Sequence, residues 1–184
     1  MDAALIAVRF VHFSAAMLLL GVTSFAAVLA APELVALRQR LVRRTVVTLV
    51  LLLVATGIAW LALEAGEAGA GWSDVLAPAT WYDLLTGTSF GTAWLWHLIL
   101  LACLLLALIL PARESLWVAL GGAALALLSL GFVGHAAMEA GIAGLAHRVN
   151  HALHILSAGF WVGSLLPLLF CLDAMRSAAL RVSA

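Results

Sequence analysis

Lysine is absent from this chain, and all nine basic residues are arginine. Charge of either sign is scarce: 10% of the 184 residues are charged, against about 25% in soluble domains. With 66% hydrophobic residues and a mean hydropathy of +1.18, a water-soluble globular fold is excluded. The formal net charge is zero, which removes any electrostatic basis for binding nucleic acid. There are only two cysteines, Cys103 and Cys171, and they stand in different apolar segments. That spacing excludes a disulfide framework or a zinc ribbon, and both read as small buried hydrophobes. No removable leader is expected, because the first apolar run is long enough to span a bilayer and lacks a small-residue cleavage site.

What the chain has instead is long apolar runs. A membrane span needs about 20 such residues, and five segments qualify: 3–31, 44–64, 90–110, 115–139 and 147–172. Pro32, Pro111 and the Gly66–Gly71 stretch separate them. The expected fold is all-α, a polytopic bundle of five transmembrane helices forming one domain over residues 1–184. Gly and Ala inside the spans suit close helix packing, with Gly159 and Gly163 as one small-residue pair. Arginine sets the orientation. The first loop holds Arg38, Arg40, Arg43 and Arg44, the third holds Arg113, and the tail holds Arg176 and Arg181. The second loop carries Glu67, Asp74 and Asp83 without a base. Positive loops stay in the cytoplasm, so the N-terminus is expected outside and the C-terminus inside. In a bacterium this is a multi-pass plasma-membrane protein with its outer side facing the periplasm. Trp72, Trp81 and Tyr82 recur in the outer loop; residues 73–87 read as a short interfacial helix.

Threaded this way, all six histidines fall in the outer half: His12, His97, His135, His147, His151 and His154. Ionisable groups inside a membrane are costly and point to function. His147, His151 and His154 follow spacings of four and three, which puts them on one helix face. Arg9 shares a face with His12. It snorkels outward, or it neutralises a carboxylate, a haem propionate or a bound anion. His135 and Met138 form another outer cluster with Glu139, and thioether with imidazole suits Cu(I). For each there is a plainer role: His147 solvated at a helix start, His97 interfacial between Trp94 and Trp96, Met138 packing. Deeper in the bilayer the only soft side chains are Met17, Cys103 and Cys171. No catalytic constellation is present, and an enzyme is not expected.

The string Gly134-His135-Ala136, then Asn150-His151-Ala152-Leu153-His154, then Ala158-Gly159-Phe160-Trp161-Val162-Gly163-Ser164-Leu165-Leu166-Pro167-Leu168, resembles the copper resistance protein D family. Arg9-Phe10 followed by His12, Gly21, and Thr88-Ser89-Phe90-Gly91 are similar too. The resemblance covers most of the chain and is most specific in the last two spans. It implies an inner-membrane copper-handling protein working beside a periplasmic copper carrier, in a bundle also similar to the di-haem cytochromes b. Family members often carry about eight spans rather than five, with a basic residue where His97 stands here.

Three functions are therefore expected, in order. The first is copper binding at the periplasmic side through His12, His97, His135, His147, His151, His154 and Met138, for handling or import. The alternative is a membrane cytochrome in which two of His12, His97, His135, His151 and His154 hold one outer haem b and relay electrons, with Arg9 and Arg148 at the propionates. The third is an accessory subunit of a larger membrane complex. Membrane lipid surrounds the chain in all three.

Overall fold

The computed structural model describes residues 1–29, 32–133 and 141–182. Among them the only regular elements are helices: α1 (Asp2–Ser24), extended by a single π turn (Phe25–Leu29), then α2 (Pro32–Ala68), α3 (Pro78–Gly87), α4 (Ser89–Ala107), α5 (Ala112–Leu130) and α6 (Gly141–Val182). Four helical stretches are long and apolar enough to cross a membrane: Asp2–Leu29, Arg40–Ala68, Ser89–Ala107 and Gly144–Asp173. A fifth apolar stretch, Ser115–Leu130, is shorter.

Several boundaries differ from expectation for local reasons. The arginine-rich segment 38–44 is not a loop. It continues α2, which starts with Pro32 in the first turn, where a missing N–H costs nothing; no Gly or Pro interrupts it before Gly57. The interfacial helix starts at Pro78 rather than residue 73. Upstream, Gly71 takes a positive φ of 93° and the Asp74 carboxylate accepts from the Ala70 N–H at 2.7 Å, so this stretch is a turn. α5 ends at Leu130 rather than 139. His135 and Met138 lie outside the described residues. α6 begins six residues before the expected 147 and continues beyond 172, with Pro167 inside it.

The long helices alternate in direction. His12 meets Thr56 and Arg9 meets Glu64, so α1 and α2 are antiparallel. Trp60 packs on Trp94, and Gly57 lies beside Leu98 and Leu101, so α2 and α4 are antiparallel. His97 meets Ser129 while Gly122 faces Leu104, which reverses α5 against α4. Gly131 faces His151 and Gly159 faces Leu127, which reverses α6 against α5. α6 thus runs the same way as α1, and the two touch through glycine. A Cβ on Gly21 would run into the Gly163 backbone, and one on Gly163 into the Met17 carbonyl. Only hydrogen at those positions allows the backbones this close. Ser164 Oγ donates to the Gly21 carbonyl at 3.3 Å.

α3 turns sharply into α4 at Thr88. The Thr88 hydroxyl donates to the Leu84 carbonyl at 2.7 Å and accepts from the Gly91 N–H at 2.8 Å, capping α4 at its first turn. A side chain on Gly91 would strike the Leu84 carbonyl. The motif Thr88-Ser89-Phe90-Gly91 is thus the hinge that folds α3 onto the bundle. Leu19, Leu53, Leu104 and Leu127 fill the core at one end. Trp60, Trp94, Leu84 and Leu130 fill it at the α3 end.

Candidate functional site

Two histidines meet at the α3 end of the core. His12 on α1 and His97 on α4 are both fully buried, and their Nε2 atoms are 2.9 Å apart. Each ring is held from behind by a hydroxyl. His12 Nδ1 lies 2.8 Å from Thr56 Oγ1 on α2. His97 Nδ1 lies 2.7 Å from Ser129 Oγ on α5. Four helices therefore contribute one polar side chain each.

The hydroxyls bear on the tautomers. Thr56 Oγ1 donates to the Leu52 carbonyl at 2.7 Å, and Ser129 Oγ donates to the Ala126 carbonyl at 2.7 Å. A hydroxyl has a single hydrogen. With that hydrogen given to its own helix, each hydroxyl can only accept from the imidazole, so Nδ1 carries the proton in both rings. Both Nε2 atoms then present bare lone pairs to each other. Two lone pairs at this distance repel; a metal cation or a proton between them reconciles them, as does one hydroxyl turning its hydrogen to its imidazole, so that this ring's Nε2 carries the proton and donates to the other. Outer partners on the far nitrogen are also how metal-binding imidazoles are commonly oriented.

The surroundings exclude water. Trp94 is fully buried and stacks on His97 at 4.8 Å between centroids. Trp60 meets His12 edge-on at 5.6 Å, and the two indoles pack at 4.5 Å. Trp94 Nε1 donates to the Gly57 carbonyl at 3.2 Å, which turns the indole N–H away from the histidines. Toward the N-terminal end of α1, Arg9 pairs with Glu64 and lies 5.2 Å from the Trp60 ring centroid. Trp60 Nε1 donates to the same Glu64 carboxylate at 2.9 Å.

Metal–imidazole bonds are about 2.0–2.1 Å long, so two nitrogens at 2.9 Å suit adjacent positions on one ion. Axial haem ligands, like the two ligands of a linear Cu(I) ion, stand about 4 Å apart, twice that bond length; an ion held by nitrogens 2.9 Å apart is bent and leaves positions for further donors. His12 and His97 leave no room for a porphyrin between them. Arg9, expected as a propionate partner, is already engaged by a carboxylate.

The other expected ligands are elsewhere. His151 is half-buried on α6, its ring edge beside Gly131. His147 and His154 are exposed on the same helix, and Arg148 is half-buried. The α6 histidines therefore do not close around the buried pair, because α6 packs chiefly on α1 and more lightly on α5. Among the described residues no three His, Cys, Asp or Glu side chains converge on one point. Cys103 is exposed and Cys171 buried, both as free thiols. His97 is not interfacial: Trp96 beside it is exposed, but Trp94 and His97 itself point inward.

Sequence reasoning missed Thr56, Ser129, Trp60 and Glu64. Helical spacing offered a signal: Trp60–Glu64 repeats at four residues and Trp94–His97 at three, as Arg9–His12 does.

Residues 1–145 match the family described as copper resistance protein D-like, N-terminal domain. The match includes His12, Thr56, His97 and Ser129 and stops before the Asn150–Leu168 string. Over 172 residues, 93% of this chain, the sequence is 34% identical to inner membrane protein YebZ of Escherichia coli strain K12. The aligned stretch spans 59% of that relative's length. No solved structure matches.

Proposed function

This chain belongs to the copper resistance protein D-like family and is a multi-pass inner-membrane protein; we propose that within the membrane it binds copper between His12 and His97 as a step in copper handling. The observation that carries this reading is the pair of facing Nε2 atoms, 2.9 Å apart in a fully buried site, with both Nδ1 atoms already occupied by hydroxyls. Soft or borderline cations with an affinity for imidazole fit that donor pair.

The division of labour follows from the geometry. His12 and His97 donate to the ion. Thr56 and Ser129 hold each ring in the tautomer that frees Nε2. Trp60 and Trp94 keep water out and present aromatic faces that tolerate positive charge. Copper is the cargo in this scheme, received at the periplasmic side from a soluble carrier or a membrane partner. The orientation proposed has α1 entering from the periplasm, five crossings in alternating directions, and the arginine-rich start of α2 in the cytoplasm. A periplasm-only reporter joined after Asp74 is then active, and one joined after Arg40 is silent; the reverse result overturns the periplasmic assignment.

The direct test is Cu(I) titration of the purified protein against a colorimetric chelator, with metal analysis and a visible spectrum in parallel. A colourless protein taking up one copper, which His12→Ala and His97→Ala both abolish, is the expected result. Copper bound equally well by both variants overturns the site. An intense Soret band in protein free of copper overturns the cargo.

A further inference from the structure

We propose that Glu64 is a positioning residue for the cation. By neutralising Arg9 it makes the buried histidine pair able to accept positive charge. The inference rests on the proposed copper site and adds to it the pair of charges that sets its affinity.

Arg9 is a difficulty for a cation site. It lies one turn from His12 on α1, and its guanidinium sits 5.2 Å from the Trp60 centroid, which is itself 5.6 Å from the His12 ring. The fixed positive charge is thus at most roughly 11 Å from the His12 ring, close enough for strong Coulomb coupling in a low-dielectric interior. Its Nε is buried with no hydrogen-bond partner among the described residues. Left alone, Arg9 would repel any ion between the imidazoles.

Glu64 answers this. It is the carboxylate on Arg9, and it is held there by a second bond, from Trp60 Nε1 at 2.9 Å. Trp60 therefore touches all three parties: the guanidinium over its ring, the carboxylate on its N–H, and His12 at its edge. The indole thus ties the ion pair to the same ring that packs against His12. The net charge above the site is zero, and both charges are needed to keep it so.

The test is the sign of two substitutions on Cu(I) affinity. Glu64→Gln leaves the guanidinium unpaired and is expected to weaken binding, by roughly four- to fifteenfold at an effective dielectric constant of 20–40. Arg9→Gln leaves the carboxylate unpaired and is expected to tighten binding by a similar factor. The double variant is expected to return near wild type, and Glu64→Asp to stay close to it. A merely structural ion pair predicts a different pattern, with both single variants weakening the site alike. That pattern, or no change in either, overturns the inference. Arg9→Gln decides the matter even if Glu64→Gln folds poorly, because a folding defect cannot tighten binding. If wild type binds copper and His12→Ala abolishes it, yet the two signs agree, only this inference falls. If wild type binds none, the copper site itself falls first.

Discussion

The buried pair on α1 and α4 and the histidine ladder on α6 look alike as residues and differ completely as structures. His12 and His97 have no exposed surface, and every ring nitrogen has a designated neighbour. His147 and His154 lie on the outside of a helix whose main contact is with α1 through bare glycine backbone. The ladder has better spacing for sharing an ion within one helix. The pair has convergence from two helices, backed by two more. Ligand spacing along one helix says which side chains share a face; it does not say that the face converges with ligands on other helices.

The comparison is tested most severely by removing a ligand from the pair. His97→Ala is expected to reduce copper affinity at least about 100-fold, above what losing an outer partner typically costs. Chelator competition reads this directly, and retained affinity would place the metal elsewhere. Thr56→Val and Ser129→Ala come next. Each removes the acceptor that fixes one tautomer, and about 10- to 100-fold weaker binding is expected. Wild-type affinity in both would show that the rings need no orientation from behind.

Gly163→Ala probes the other region. Its methyl group collides with the Met17 carbonyl, and forcing a close-packed contact apart costs about 1–3 kcal/mol. Denaturant unfolding followed by tryptophan fluorescence is expected to show that loss. Copper affinity is expected to stay within about twofold, since distant sites act independently. A large drop in affinity would mean that α6 shapes the pair after all. The smallest effect is expected for His154→Ala, with affinity again within about twofold of wild type. A loss comparable to that of His97→Ala would merge the two regions into one site.

Much of this was legible in the residues. The membrane class followed from hydropathy, and the interest in the histidines from their positions in apolar spans. His12 and His97 were among the candidates, but so were five others. Arg9 had three possible partners on paper, and the structure places Glu64 there. Thr56 and Ser129 were invisible because a hydroxyl in an apolar helix usually bonds its own backbone, as both do here; only the facing imidazole reveals the second role. The first loop was misread because arginine signals topology and is also a good helix former, so the charges ride on α2 instead of leaving it.

By itself the sequence determined that the chain lies in a membrane, that it is helical, and that imidazoles sit among its apolar helices. Those properties depend on transfer free energies and local periodicity, which each segment carries alone. Which two imidazoles face each other was decided only by tertiary structure. The rotation of each helix about its axis is fixed by packing, here by Gly21 against Gly163, Gly91 under Leu84 and Trp60 against Trp94. A ligand pair drawn from helices 85 residues apart in sequence exists only once those contacts have set the rotations.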